Sequence, residues 1–465
     1  NGIKSTDDCI IVSGTLNITS TEDGIIGKDL CGVVAGDINI NAGSDGVKST
    51  YDTDTTKGNV IIEGGNITIK ASNDGIQAEN ILVINDGAIN IKTNNGAADT
   101  TQTHIDNMDM GRGGFGFNNN KTTTTTDDTS ESRKGIKAGN MLIINDGDIT
   151  IDSDDDSVHC NSVIYIYGGT INAATGDDGV HADDLLTVNG GTINITQCYE
   201  GIEADDIVIN DGDISVVSSD DGINSSDGSI TINGGNLLIN ASGDGLDANG
   251  SIIINGGYIV VLGPTSDGDT AIDYDDSCTI NGGTVMAFGS SGMLEIPKGA
   301  SNGACIVTAF TSVSGGSKYT LSDSNGNEIL SYTPSKAYAA AIVYSDKITT
   351  GNTYNITAGS TTLSIEVTSD VTSNVSSGLG KAGGMNMPGN GGSGMPNNGS
   401  SDNGMNGNSN GSMPDMSGNG APDMNGNSSG DMPSMGGNSS NNGGNMPNMN
   451  NGSSNGSAPQ MNNRM

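Results

Sequence analysis

The 465-residue chain has no tryptophan, and aromatic residues make up only 3% of it. A large mixed globular core, which draws much of its buried area from aromatic side chains, is therefore not available. Basic residues are scarce as well: 17 Lys and Arg stand against 55 Asp and Glu, a formal net charge of −38. That balance excludes nucleic acid as a partner and argues against anionic membranes. Six cysteines are too few to make a disulfide scaffold of a chain this long. No apolar run is long enough for a membrane-spanning helix.

What the chain has is glycine, 73 residues of it, and a repeat. In the stretch GDDGVHADDLLTVNGGTINIT, from Gly176 to Thr196, two short apolar runs, Leu185–Val188 and Thr192–Ile195, are split by Asn189-Gly190-Gly191. Asp177-Asp178-Gly179-Val180 makes a third corner. Three brief strands cannot bury an apolar side alone, so the unit must stack on copies of itself. The residue after each Gly-(Ile/Val/Leu) step, with Ser157 and Ala271 replacing the glycine in two copies, marks those copies: Lys4, Ile26, Lys48, Gln77, Lys137, His159, His181, Glu203, Asn224, Asp247 and Asp273. Most gaps are 21 to 23 residues, with insertions between Lys48 and Gln77 and between Gln77 and Lys137. Strand-type residues at that period predict an all-β fold, a right-handed parallel β-helix of about 11 coils. Leucine-rich repeats share the period but need a leucine and asparagine framework that is absent here.

In chain order, the helix is expected over residues 1–298, interrupted at 97–133 by a Gly-, Asn- and Thr-rich excursion read as flexible. Longer alternating runs over 299–370, including Ala304–Phe310, Glu328–Tyr332 and Tyr338–Tyr344, predict a small antiparallel β module covering the open end of the helix. Residues 371–465 are Gly, Asn, Ser, Met and Pro, and are expected to be a disordered tail. The chain opens inside a repeat, Asn1-Gly2-Ile3-Lys4, as a fragment with upstream coils and a secretion signal would. Cys9 and Cys31 each lie five residues past a marker, so they should stack one coil apart, as a disulfide or as two buried thiols.

The chemistry sits in the corners. If the residue before each marker points inward, the marker points out. Lys137, His159, His181 and Glu203 then form an exposed, chemically mixed column. Beside it run acidic columns: Asp155, Asp156, Asp177, Asp178, Glu200, Asp220, Asp221 and Asp244 before the glycine, and Asp183, Asp184, Asp205 and Asp206 after the marker. Between Ala138 and Pro297 there are 27 acidic residues and no Lys or Arg. Carboxylates stacked roughly 4.8 Å apart repel by ~1 kcal/mol per pair even in bulk water. A hard divalent cation relieves that repulsion, and Ca²⁺ accepts oxygens at flexible geometry. Tight-turn chemistry alone explains Asn189, Asn210, Asn233, Asn255 and Asn281, which should form an asparagine ladder. It leaves the doubled aspartates unexplained. Tyr165, Tyr167 and Tyr199 are candidate contacts for sugar rings.

The segments DDGVHADD and LTVNGGTINIT, YEGIEADDIVINDG, SGDGLDANGSIIINGG and the closing Ser290–Met293 (SSGM) resemble those of secreted clostridial carbohydrate-binding proteins. The resemblance covers about residues 1–368. It implies a parallel β-helix similar in shape to pectate lyases, Ca²⁺ in the Asp-Asp-Gly corners, and binding of cellulose and polygalacturonate without cleavage. The expected role is thus a non-catalytic extracellular or cell-surface polysaccharide-binding protein. One alternative is a pectate-type lyase, for which His159, His181 and Lys137 would be the available bases and no Arg is at hand to hold substrate. Another is a structural or adhesive surface fibre. Oligomeric state is not legible in the sequence.

Overall fold

The structure, a computed structural model, describes residues 1–98 and 132–375. Most of the expected excursion and nearly all of the expected tail lie outside the described residues. Within them the chain winds into a parallel β-solenoid of about 12 turns. Each turn has three faces. The first carries the marker, as in Ile76–Ala78 or Ile136–Ala138; the second follows at once, as in Ile81–Ile84; the third comes after the Asn-Gly corner, as in Ala88–Thr93. The eleven marker strands are followed by a shorter step in which Gly299–Ala300 pairs with Thr279–Ile280. The only helical turn among the described residues is Gly96–Ala98, and no helix is long and apolar enough to cross a membrane.

Alternation on each short strand puts every second side chain inside, and the parallel register stacks like on like. On the third face one column runs Ile67, Ile89, Ile149, Ile171, Ile193, Ile214, Leu237, Ile259 and Val285. None of these is more than 2% exposed. Cutting any of them to Ala should cost about 2–5 kcal/mol, because neighbours above and below cannot both close the gap. Glycine holds the position two before the marker in all but the Ser157 and Ala271 coils, and at Gly179 close approach favours it: a Cβ there would lie 2.5 Å from the Gly201 carbonyl oxygen and 2.5 Å from Ile195 Cδ1. At the second-to-third corner, Gly191 has φ +92°, a backbone state that side chains resist. Cys9 and Cys31 pair in register as predicted; both are buried and free.

After the last coil the chain reverses. Tyr338–Ser345 adds antiparallel to the last third-face strand, Thr284–Gly289, Ala304–Val313 pairs with it, and Val371–Ser373 lies parallel beside Ala304–Val313. A separate four-stranded antiparallel sheet is ordered Glu328–Tyr332, Tyr319–Asp323, Thr353–Ala358, Thr361–Glu366. This region therefore extends one face of the solenoid as well as adding a sheet of its own. Phe288, on the last coil, packs its ring against Tyr319, Tyr332 and Tyr338. Lys336 ties the two parts by donating to the carbonyls of Ala241 and Leu262.

Candidate functional site

At the corner before each marker strand, the residue preceding glycine or serine is usually Asp. Its backbone carbonyl and one side-chain oxygen both take part in bonds between coils. The Asp156 carbonyl accepts from Gly135 at 2.9 Å, while Asp156 Oδ1 accepts from the amide of Asp178 at 3.0 Å. Asp178 Oδ1 accepts from the amide of Glu200 at 3.2 Å, and Asp221 Oδ1 from that of Asp244 at 2.6 Å. Asp45 and Asp74 do the same lower in the stack. A corner interrupts the strand ladder, and these carboxylates replace the missing backbone acceptors. One aspartate per corner is thus structural.

The marker column forms in the expected register: Lys137, His159, His181, Glu203, Asn224, Asp247, Asp273. Each marker sits three residues after its corner residue, so where that residue is an acid the two side chains can meet. Lys48 Nζ lies 2.7 Å from Asp45 Oδ2, His159 Nδ1 2.9 Å from Asp156 Oδ2, and His181 Nδ1 3.2 Å from Asp178 Oδ2. Lys137 Nζ turns to Ser132 Oγ at 3.1 Å. His159 is only 9% exposed, so its ring belongs to the wall more than to the surface. From Glu203 onward the marker is acidic or neutral and faces another acid.

This change of sign shapes the electrostatics. At the basic end, Lys134 bridges Asp155 at 2.9 Å and Asp156 at 2.5 Å, and Arg133 holds the buried Asp154 at 2.7 Å. Lys92 pairs with Asp152. Burial works to raise the Asp156 carboxyl, but Lys134, His159 and His181 hold it well below the usual range. The basic side chains missing from 138–297 are therefore supplied to this corner by residues just before that segment. Of the acids expected to hold metal, Asp155 and Asp156 already have a counter-charge.

No Lys or Arg is paired at the acidic end among the described residues. Burial first, then neighbouring carboxylates, pushes Glu200 up to about 9, Asp221 to about 8 and Asp244 to about 9. Asp177 rises to about 8 and Glu203 to about 7, again chiefly through burial. Burial opposes a charge on His181, but Asp178, Asp156 and Glu203 push it up to about 10. Asp221, Asp244 and Asp247 bring ligand atoms within 4.8 Å of one another, as do Asp178, His181 and Glu203, and Asp155, Asp156 and Asp177. Thr270 is buried beside Asp244, to which its amide donates, and its Oγ1 makes no hydrogen bond. Asp220 contributes as a neighbouring charge on Asp221.

The other acidic column stands apart. Asp184 accepts from Ser162 Oγ at 2.6 Å, Asp205 from Ser226 Oγ at 3.1 Å, and Asp206 from the amide of Ser229 at 3.0 Å. Asp183 reaches only His181, at 3.7 Å. None of these four joins a metal-type cluster among the described residues. Asp247 joins one without having been singled out as a metal ligand in the sequence. The usable signal was the Asp-x-x-Asp spacing of Asp244 and Asp247, which places both acids on one corner.

The tyrosines do not share one surface. Tyr165 and Tyr167 stand on the second face, with ring centroids 6.3 Å apart and planes 24° from parallel, and Tyr167 is 52% exposed. Tyr199 lies on the acidic corner, where its amide donates to the Asp177 carbonyl. Tyr167 occupies the place that asparagine holds in the coils on either side. Above it the asparagine ladder forms as expected, with Nδ2 to Oδ1 distances of 2.9 Å (Asn210 to Asn189), 2.8 Å (Asn233 to Asn210), 2.8 Å (Asn255 to Asn233) and 3.0 Å (Asn281 to Asn255). Beside the ladder, at the same corner, runs a shallow groove of about 480 Å³ between Gly190 and Asn236, lined by Thr192, Asp211 and Asp213.

A protein-family model described as carbohydrate-binding domain-containing protein matches residues 1–179 and again 177–412. No curated protein and no solved structure matches the chain.

Proposed function

We propose a function from one premise: the chain belongs to the carbohydrate-binding domain-containing protein family. On this reading it is a non-catalytic polysaccharide-binding protein that works outside the cell and lays an extended polymer along the solenoid axis. The observation that carries the proposal is the Tyr165–Tyr167 pair, two nearly parallel rings beside a straight column of asparagine amides. Sugar rings present C–H faces to aromatic rings and hydroxyls to amides, and this corner offers both. Stacked coils repeat the amides along a line, as an extended chain requires, with the ring pair at one point on it.

The polymer classes in view are cellulose and acidic pectic chains. A protein of net charge −38 repels an acidic polymer unless cations intervene. Asp221, Asp244 and Asp247 fit Ca²⁺: the donors are all oxygen and they converge, and the neighbouring Thr270 carries a buried hydroxyl with no hydrogen-bond partner. When bound, the ion would supply positive charge to the acidic corner and a bridge to polymer carboxylates. The residues' own part is to converge and to release protons as the ion enters.

The experiment is a pull-down on cellulose and on polygalacturonate, with Ca²⁺ and with chelator. Retention should fall with Tyr167→Ala and Tyr165→Ala, by roughly 1 kcal/mol or more each. Retention indifferent to both substitutions would put the site elsewhere. Unsaturated uronate product, absorbing in the ultraviolet, would favour the lyase reading.

A further inference from the structure

We infer that His159 and His181, together with Asp156 and with Asp178 and Glu203 beside His181, form a binding site for a borderline divalent transition metal such as Zn²⁺, separate from the oxygen-only corner at Asp221, Asp244 and Asp247. The two histidines hold the same position in adjacent coils, so their rings meet edge to face with centroids 4.9 Å apart. Both turn Nδ1 toward the acidic corner. His181 Nδ1 lies 3.2 Å from Asp178 Oδ2, 3.3 Å from Glu203 Oε2 and 3.9 Å from Asp156 Oδ2. A single N–H serves one of those oxygens well; a metal ion serves several at once.

His159 supplies the independent observation. It is 9% exposed, and its Nδ1 makes no hydrogen bond of acceptable geometry although Asp156 Oδ2 is 2.9 Å away. Its other nitrogen, Nε2, faces Asn161 Oδ1 at 3.0 Å. In the ion-free chain Nδ1 faces Asp156; a metal ion held by Nδ1 and Asp156 Oδ2 would take that place and leave an Nε2 proton to donate to the Asn161 oxygen. A ligating histidine is commonly oriented in this way, through a hydrogen bond from its second nitrogen.

The spacing also fits. Bonds of about 2.0–2.2 Å place neighbouring ligand atoms roughly 2.8–3.6 Å apart in tetrahedral or octahedral shells. The contacts at 2.9, 3.2 and 3.3 Å fall in that range. His181 belongs to two convergent sets, one with Asp156 and His159 and one with Asp178 and Glu203, each with ligand atoms within 4.8 Å of one another, so the shell centres on His181. Imidazole nitrogen favours Zn²⁺, Co²⁺ or Ni²⁺ over Ca²⁺, which keeps the two metal chemistries apart along one column.

The test is titration of the metal-free full-length chain with Co²⁺ and Zn²⁺, at mildly alkaline pH and in excess Ca²⁺ to fill oxygen-only sites. The expected result is one tight equivalent with visible d–d bands of a nitrogen- and oxygen-ligated Co²⁺. Affinity should fall more than roughly tenfold in His181→Ala and in His159→Ala, and stay unchanged in Asp244→Asn and in His104→Ala. X-ray absorption of the Zn²⁺-loaded natural chain gives a readout that needs no substitution, and two imidazoles in the shell support the site. No tight equivalent, an oxygen-only shell, or binding that survives loss of both histidines would overturn it.

Discussion

Calcium binding at Asp221, Asp244 and Asp247 should be coupled to proton release, and the coupling can be sized. Asp221 sits at about 8 and Asp244 at about 9, against an ordinary value of 3.8, because burial and mutual repulsion disfavour their charged forms. At pH 6 both are protonated, so an entering Ca²⁺ must displace two protons. Affinity should then rise roughly 100-fold per pH unit from pH 6 to about 8, roughly tenfold per unit to about 9, and level off above. Folding stability follows the same groups with the opposite sign. Their folded pKa values are raised, so the stability they contribute to the ion-free chain is complete below the unfolded value near 4. It is lost progressively as pH climbs from about 4 through the folded values of about 8 and about 9, and is gone above them. Ion-free melting temperature should therefore fall across that window, and saturating Ca²⁺ should reverse the fall, adding ~2.7 kcal/mol at 100 times Kd. Calorimetric titration in two buffers of different ionisation enthalpy counts the protons directly. Asp244→Asn should weaken binding and remove one proton from the count. An affinity that is flat between pH 6 and 8, with no proton released, would refute the reasoning.

Three further outcomes follow from the same geometry. Lys134→Met should cost about 3–5 kcal/mol in chemical denaturation, since it strands the fully buried Asp156; a loss below ~1 kcal/mol would mean the histidines suffice as counter-charges. Gly179→Ala should disrupt stacking severely, its Cβ having backbone oxygen at 2.5 Å, and circular dichroism of the refolded variant would show it. Asn233→Ala breaks two ladder bonds at an exposed site and should cost only ~1 kcal/mol, read as a shift in denaturation midpoint without a change in slope.

The sequence alone determined the solenoid, the register of its markers and the asparagine ladder. In a parallel coil each residue touches its own equivalent one repeat away, so spacing along the chain is contact in space. That is why Lys137, His159, His181 and Glu203 could be placed in one column from numbers alone. Lys134 and Arg133 stand just outside the acidic segment, yet 21 or 22 residues before Asp154, Asp155 and Asp156, so the same spacing already places these pairs together. Contacts that do not follow the period were not legible. The burial of His159 depends on the corner acid folding over it, which separates a wall residue from a surface one. Tyr338–Ser345 joins Thr284–Gly289 across some fifty intervening residues, and strand pairing at that separation leaves no local signature. Finally, which aspartate oxygen caps a backbone amide and which faces the marker is set by the corner's geometry. The repeat could place two acids at a corner; only the tertiary structure assigned one to holding the coils together and left the other side of the corner to chemistry.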